Sequence, residues 1–253
     1  MRPEVLILSL LLLACGGEPA PPRLAETVAP APAGPVRPLE VHWVGEPTGD
    51  GPLLVLLHGY GAPGDDLVPF GESLRAQHPG LRVALPEAPL PRPPSGRAWW
   101  PVDLARDRPA DRSTETPPGM AEARRDVVAW LTSLHTSGQL DPDRTVIGGF
   151  SQGAMLSLDV ALTLRFPLAG VATLSGGPVD HARWQARMQS RPPARVFVSH
   201  GRSDPLLSFE AARALQEELA SEGAQVRWLP FDGGHSIPAP VRAGLAAWLA
   251  EAL

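Results

Sequence analysis

Gly149-Phe150-Ser151-Gln152-Gly153 follows an apolar run, Thr145-Val146-Ile147, and precedes a segment of helical character from Ala154 to Leu158. This order of strand, sharp turn and helix is the setting of a nucleophile elbow, in which glycines relieve the crowding of a strained turn and a serine hydroxyl projects from its tip. The pattern therefore predicts that Ser151 is a nucleophile. The alternative is that Ser151 is only a structural residue of the turn.

A serine hydroxyl is a weak nucleophile until a base activates it, so a base and an acid are expected further along the chain. Asp204 lies in His-Gly-Arg-Ser-Asp-Pro at 200–205, and His235 lies in Asp-Gly-Gly-His-Ser at 232–236. The chain order Ser, Asp, His is the one found in α/β-hydrolases. We expect His235 to take the proton of Ser151, and Asp204 to fix the tautomer of the imidazole. Because Asp204 precedes a proline, initiation of a turn is its alternative role.

Attack on a carbonyl creates an oxyanion, which needs hydrogen-bond donors that are already in place. The first predicted donor is the backbone N–H of Gln152, directly after the nucleophile. The second is the backbone N–H of Tyr60 in His58-Gly59-Tyr60-Gly61, which follows an early strand. His58 and His200 each end a predicted strand and precede a glycine, and we interpret both as residues that brace turns through hydrogen bonds.

Short apolar runs alternate with segments of helical character from Leu39 onward. The predicted strands are 39–44, 52–57, 81–85, 145–147, 168–174, 195–199 and 226–231, and the predicted helices are 65–77, 120–134, 152–165, 208–222 and 239–252. This alternation predicts an α/β fold with a mostly parallel central sheet and helices on both faces. Ligands of such sheets bind at the carboxyl ends of the strands, where Ser151, Asp204 and His235 are expected to lie.

The stretch from Pro86 to Gly119 is rich in Pro and Arg and has no clear periodicity, which predicts a long irregular loop. Loops of this length in compact domains are usually functional or disordered, so this one is a candidate lid over the active site. It contains Trp99-Trp100. Two roles stay open for these residues, because large aromatic side chains serve both: they line an acyl pocket, or they pack the loop on the core.

The composition limits the functions that the chain can have. The chain has 253 residues, a formal net charge of −5 and one cysteine, Cys15. That length suffices for one catalytic domain with a large core. The mildly negative charge gives no electrostatic basis for binding nucleic acid, so no nucleic-acid partner is expected. A single cysteine also excludes an intramolecular disulfide.

Residues 1–14 are typical of a signal peptide, with a weakly positive start and an apolar run, Val5 to Leu13, that is too short to span a bilayer. Leu12-Leu13-Ala14-Cys15 resembles a bacterial lipobox, which predicts cleavage before Cys15 and lipidation of this cysteine. An anchor of three acyl chains would hold the protein on a membrane almost permanently. An ordinary signal peptide with a chance cysteine is the alternative.

The residue after the cysteine is Gly16 and not the aspartate that retains lipoproteins at an inner membrane, which favours the outer membrane or the periplasmic face. Residues 15–38 are dominated by Pro, Ala and Gly and are expected to form an extended, unfolded tether. The catalytic domain is then predicted to comprise residues 39–253.

Six short motifs occur in order along the predicted domain, and they are His58-Gly59-Tyr60-Gly61, Pro86-Glu87-Ala88-Pro89, Ala98-Trp99-Trp100, Gly148-Gly149-Phe150-Ser151-Gln152-Gly153-Ala154, His200-Gly201-Arg202-Ser203-Asp204-Pro205 and Gly234-His235. Together they resemble the carboxylesterase/phospholipase (acyl-protein thioesterase-like) family of α/β-hydrolases. The resemblance implies Ser151, Asp204 and His235 as the triad, with Tyr60 and Gln152 supplying the oxyanion hole. It also implies hydrolysis of carboxylic esters or thioesters without metal or cofactor. From the ordered motifs we expect a serine esterase that acts on short or medium acyl esters, with a small-molecule or lipid-like ester as its substrate.

Two departures from the family pattern bear on the substrate. Residues 106–116 form a longer and more charged segment, which leaves the acyl-chain preference open. A secreted, lipid-anchored form argues against cytosolic acyl-protein substrates. A peptidase or amidase on the same fold is an alternative, because a fold does not determine a substrate. A catalytically retired, tethered binding module is another, although no member of the triad is missing from this chain.

Overall fold

The computed structural model describes residues 34–102 and 116–253. The predicted signal peptide, Cys15 and the tether as far as residue 33 lie outside the described residues, as do residues 103–115 of the predicted loop. Among the helices in the two described ranges, none combines the length and the apolar character needed to cross a membrane.

A seven-stranded sheet forms the centre of the described chain. Its strands are β1 (Val41–Val44), β2 (Leu53–Leu57), β3 (Arg82–Pro86), β6 (Thr145–Phe150), β7 (Gly170–Leu174), β8 (Arg195–Gly201) and β9 (Gln225–Phe231), while β4 (Leu90–Arg92) and β5 (Gly96–Ala98) form a separate antiparallel pair. The strand order in the sheet is β1-β3-β2-β6-β7-β8-β9. Only β1 of the seven runs antiparallel to its neighbour. The α/β-hydrolase fold with a mostly parallel sheet is thus confirmed.

Helices cover both faces of this sheet, and they are α1 (Val68–Gln77), α2 (Met120–Thr136), α3 (Gln152–Thr163), α4 (His181–Ser190), α5 (Phe209–Ser221) and α6 (Ala239–Ala252). Successive residues of a strand point to opposite faces. In β2, Leu53 and Val55 pack in the core shared with α2 to α5, whereas Leu54 and Leu56 pack in the core shared with α1 and α6. All five residues of β2 are buried, which is why a continuous apolar run encodes it.

The structure differs from the sequence-based expectation in three places. The predicted irregular loop contains the hairpin of β4 and β5. Each strand has only three residues, which include Pro and Arg, so the sequence shows no alternation of apolar and polar residues there. Helix α4 was not predicted, because only Trp184 and Met188 of its ten residues are buried apolar side chains. Helix α1 begins at Val68 and not at Asp65. Residues 65–67 form a turn instead, and a proline lies near the first position of the helix.

The last residues of the predicted tether lie against helix α2. The Arg37 side chain donates to Oδ2 of Asp126 at 2.6 Å, and the Arg37 backbone N–H donates to Oδ1 of the same carboxylate at 3.1 Å. Arg125 donates to the backbone oxygen of Pro35 at 3.0 Å. Because Asp126 is buried, this pairing attaches residues 35–37 to the domain.

Candidate active site

Ser151 occupies a sharp turn between β6 and α3. Its φ of 54° and ψ of −116° place a side-chain-bearing residue in a backbone region that L residues rarely adopt. Such outliers cost about 1–3 kcal/mol and persist only where the surroundings hold them. The Ser151 N–H donates to the backbone oxygen of Leu174 at the end of β7, at 2.9 Å. The strand, the turn and the helix thus hold Ser151 in the geometry of a nucleophile elbow.

The glycines on either side of Ser151 are required by close backbone approach. A Cβ on Gly149 would lie 2.5 Å from the backbone carbon of Gly153 and 2.6 Å from the oxygen of Leu57. A Cβ on Gly153 would collide with the same Leu57 oxygen. Residues 149 and 153 therefore let β6 and α3 close on the end of β2, which brings the loop after β2 to the nucleophile.

Asp204 and His235 meet through a short hydrogen bond. Nδ1 of His235 donates to Oδ2 of Asp204 at 2.7 Å, and the Asp204 side chain is fully buried while that of His235 is 11% exposed. Oδ1 of Asp204 accepts the backbone N–H groups of Leu206 at 2.8 Å and Leu207 at 3.0 Å. With Nδ1 committed to the carboxylate, Nε2 of a neutral His235 is left as the basic atom.

The electrostatics of Asp204 favour its charged form. Burial by itself raises the pKa of this carboxyl group, but the hydrogen bonds from His235 and from the backbone N–H groups of Leu207 and Leu206 outweigh burial and bring the pKa below its ordinary value. Asp204 is therefore an anion at neutral pH, which is the state that stabilises an imidazolium on His235.

Backbone contacts hold the loops of Asp204 and His235 together, and a ring contact places His235 beside the elbow. The N–H of Ser203 donates to the oxygen of Gly233 at 3.0 Å, and a Cβ on Gly201 would lie 2.5 Å from that oxygen. The rings of Phe150 and His235 are tilted with centroids 4.7 Å apart. Since Phe150 immediately precedes Ser151, the predicted nucleophile, acid and base converge at the carboxyl ends of the strands.

The loop after β2 lies beside the nucleophile. A Cβ built on Gly59 would be 3.4 Å from Cβ of Ser151 and 3.1 Å from the Phe150 ring, so the peptide of Gly59 and Tyr60 passes directly over the elbow. Gln152 begins α3, and the first N–H groups of a helix have no partner within the helix. Both predicted oxyanion donors are thus backbone groups next to Ser151.

His58 braces this loop as a neutral histidine. Its Nδ1 donates to the oxygen of Gly59 at 2.9 Å, and its Nε2 accepts the N–H of Ala88 at 3.1 Å. An imidazole that donates at one nitrogen and accepts at the other carries one proton. Burial lowers the pKa of His58 and so favours this neutral form.

His200 is the second predicted bracing histidine, and it lies under the acid loop. Its Nε2 donates to the oxygen of Leu207 at 3.2 Å and is 3.3 Å from Oδ2 of Asp204. The side chain is fully buried, and burial lowers its pKa. Both histidines therefore make the turn-bracing hydrogen bonds that their positions before glycines indicate.

Trp99 and Trp100 are buried side chains of the core shared with α2 to α5. The indole N–H of Trp99 donates to the oxygen of His58 at 3.0 Å. Both side chains thus pack this segment on the core, which is one of the two roles left open for the pair. The prediction that the whole of 86–119 is irregular is wrong, because residues 90–92 and 96–98 form the hairpin of β4 and β5.

Two features near the nucleophile have no sequence motif of their own. The side-chain amide of Gln152 is buried and makes hydrogen bonds to the backbone of residues 99 and 100, whereas the sequence predicts a role only for its backbone. A small apolar cavity beside the start of α3 is lined by Ala154, Met155, Leu158, Gly176, Gly177 and Trp184, among others.

Within the described residues no group of three or more His, Cys, Asp or Glu side chains is placed to hold a metal ion.

The sheet order, the strained serine and the loops at the strand ends define an α/β-hydrolase. Residues 46–244 match the phospholipase/carboxylesterase family, and the chain belongs to this family. It is accordingly a serine hydrolase of the carboxylesterase type.

Individual proteins of known name or structure are similar over most of the chain. Acyl-protein thioesterase 1 of Cryptococcus neoformans is 27% identical over 220 residues, which are 79% of this chain and 92% of that protein. Acyl-protein thioesterase 1 of Mycosarcoma maydis is 30% identical over 190 residues, 67% of this chain and 75% of that protein. The crystal structure of esterase PE8 superimposes with a TM-score of 0.77 at 31% identity, covering 86% of this chain and all of that one.

Proposed function

We propose that Ser151, His235 and Asp204 act as a catalytic triad that hydrolyses carboxylic esters and thioesters of short or medium acyl chains. The observation that carries this proposal is the 2.7 Å hydrogen bond between His235 and the buried Asp204, beside a serine held at a positive φ. The bond orients an imidazole at the elbow, and the strained turn exposes the hydroxyl that the imidazole would activate.

The first half-reaction forms an acyl-enzyme. Oγ of Ser151 attacks the acyl carbonyl while Nε2 of His235 takes its proton, and Asp204 stabilises the resulting imidazolium. The carbonyl oxygen becomes an oxyanion, held by the backbone N–H groups of Tyr60 and Gln152. When the tetrahedral intermediate collapses, His235 protonates the departing alcohol or thiol.

The second half-reaction repeats these steps with water. His235 removes a proton from water, the hydroxide attacks the acyl-serine, and a second oxyanion forms in the same hole. Collapse releases the carboxylic acid and returns the proton to Ser151.

The small apolar cavity beside the start of α3 is a candidate site for the acyl group. It lies one turn beyond the nucleophile, since the N–H of Met155 donates to the oxygen of Ser151 at 3.2 Å. The thioester part of the proposal is supported by the relatives named acyl-protein thioesterase.

The test is covalent labelling of the protein with a fluorophosphonate, beside Ser151→Ala, followed by p-nitrophenyl esters, the matching thioesters and peptide amides. We expect labelling that is absent in the variant, and turnover that is fastest for acetyl or butyryl esters. Preference for peptide amides would replace the esterase proposal by the peptidase alternative. A folded protein that binds acyl ligands without labelling would instead be a binding module.

We further propose that the enzyme is secreted and anchored to a membrane through lipid on Cys15. The support is the sequence Leu12-Leu13-Ala14-Cys15 after a short apolar run, with Gly16 favouring the outer membrane. Mass spectrometry of the protein from membranes of an expressing bacterium should find a mature chain that begins at an acylated Cys15. In Cys15→Ser the acyl mass should be lost. An unmodified cysteine, or cleavage elsewhere, would contradict the anchor but leave the catalytic proposal intact.

A further inference from the structure

We infer that the side-chain amide of Gln152 is a positioning residue that couples the two halves of the oxyanion hole through Trp99 and Trp100. Oε1 of Gln152 accepts the backbone N–H of Trp99 at 2.9 Å, and Nε2 of Gln152 donates to the backbone oxygen of Trp100 at 3.0 Å. The residue is 3% exposed, so water does not compete for these bonds. The inference rests on the proposed catalytic function.

The other end of the connection is the loop that carries Tyr60. The indole N–H of Trp99 donates to the oxygen of His58 at 3.0 Å. Strand β5, which leads into Trp99, pairs with the same loop: the N–H of Gly61 donates to the oxygen of Arg97 at 2.8 Å, and the N–H of Arg97 donates to the oxygen of Ala62 at 2.9 Å. Residues 97–99 therefore bond to the oxyanion loop both before and after Tyr60.

The two predicted oxyanion donors belong to elements that come from different parts of the chain. Gln152 is the first residue of α3, whereas Tyr60 lies in the loop after β2. Residues 97–100 bridge them, with the amide of Gln152 on one side and the backbone of the loop on the other. An oxyanion hole needs donors at a set separation, so such a bridge acts on the transition state.

An amide is the side chain that suits this bridge. Trp99 presents an N–H and Trp100 presents a carbonyl oxygen, so the partner must accept at one atom and donate at the next. Glutamate cannot donate when ionised, and methionine of similar length can do neither well. Loss of the amide would leave a buried N–H and a buried carbonyl without partners, next to the site where the oxyanion forms.

The test compares Gln152→Met and Trp99→Phe with the wild type and with a control, Thr145→Val. Thr145 is also buried and its hydroxyl donates to the oxygen of Asp141 at 2.6 Å, but it lies at the opposite end of β6 from the elbow. The control therefore removes a hydrogen bond of a buried side chain in β6 without touching the bridge. The measurements are kcat and KM for p-nitrophenyl acetate, and the affinity for a trifluoromethyl ketone, which forms an oxyanion on the serine, beside its methyl ketone analogue, which mimics the ground state.

For Gln152→Met we expect kcat to fall by about 10- to 100-fold, somewhat less than loss of an oxyanion donor itself. KM and the affinity for the methyl ketone should change little, while the affinity for the trifluoromethyl ketone should fall in proportion to kcat/KM. Trp99→Phe, which keeps the Gln152 bonds but loses the link to His58, should show the same selective loss at about tenfold. If Gln152→Met does not fold, the result for Trp99→Phe alone tests the inference.

Losses that match those of Thr145→Val, or that fall equally on both ketones, would overturn the inference, because a merely structural side chain would act in that way. The proposed function fails separately: in that case the wild type would show no labelling or turnover that depends on Ser151. If the wild type is active but substitution of Gln152 has no selective effect on the transition state, the inferred bridge is refuted and the proposed function is not.

Discussion

Oδ2 of Asp204 and Nδ1 of His235 are 2.7 Å apart, although the two residues are 31 positions apart in the chain. The remaining oxygen of Asp204 accepts two backbone N–H groups, so the carboxylate is also oriented by its own loop. This arrangement separates two functions of one side chain: Oδ1 holds the loop and Oδ2 orients the base. Substitutions can therefore test the catalytic function without removing the structural one.

Asp204→Asn should reduce kcat/KM for p-nitrophenyl acetate by on the order of 10,000-fold, because an amide neither stabilises an imidazolium nor holds the productive tautomer. The amide oxygen can still accept the N–H groups of Leu206 and Leu207, so the melting temperature should change little. Asp232→Asn is the matched control, since its side chain is 97% exposed on the same strand-end loops. A loss of activity below tenfold in Asp204→Asn would contradict its role as the acid of the triad.

The pH dependence of stability should reveal His58 and His200. Burial lowers the pKa of both histidines. As the pH falls below about 6.5, the two side chains therefore bind protons more readily in the unfolded chain than in the folded chain. The free energy of unfolding should therefore decrease from pH 7.5 to pH 5, with a slope of up to about 1.4 kcal/mol per pH unit for each histidine. Urea unfolding at several pH values measures this slope. In His58→Gln the free energy of unfolding should depend less steeply on pH than in the wild type. Equal slopes would show that His58 does not contribute to the pH dependence.

Asp159→Ala should destabilise the protein. Asp159 is fully buried and pairs with Arg124 at 2.8 Å, with Arg183, and with the indole N–H of Trp184 at 3.0 Å. Removing this carboxylate leaves two partly buried guanidinium groups uncompensated, which costs about 3–5 kcal/mol. Urea unfolding gives the loss. Glu210→Ala breaks an exposed pair with Arg213 and should leave the free energy of unfolding nearly unchanged. Comparable losses in both variants would contradict the prediction.

Met155→Ala should shift the enzyme toward longer acyl chains, if the cavity beside α3 accepts the acyl group. Met155 lines that cavity, so truncation enlarges it by several atoms. The ratio of kcat/KM for hexanoyl to acetyl ester should rise by about tenfold or more, the effect of one or two methylenes in an apolar pocket. Met188→Ala makes the same chemical change at a buried position of α4. If both variants keep the wild-type ratio, the acyl group binds elsewhere.

Much of the fold could be predicted because its signals are local. Strand β2 is buried on both faces, so its residues form an unbroken apolar run, and the glycines at 149 and 153 stand where backbones touch. The five predicted helices form with boundaries within three residues of those expected. Each of these signals lies within a few neighbouring residues, which is where hydrophobic periodicity and turn chemistry act.

The amino-acid sequence by itself determined the strand–turn–helix around Ser151, the mostly parallel sheet and the chain order of Ser151, Asp204 and His235. The tertiary structure alone decided the 2.7 Å contact of Asp204 with His235, the burial of Trp99, and the bridge from Gln152 to the backbone of residues 99 and 100. These contacts join residues 31 to 53 positions apart. Which polar groups pair over such separations depends on how the packed sheet places its loops, and no local pattern of residue types specifies that placement.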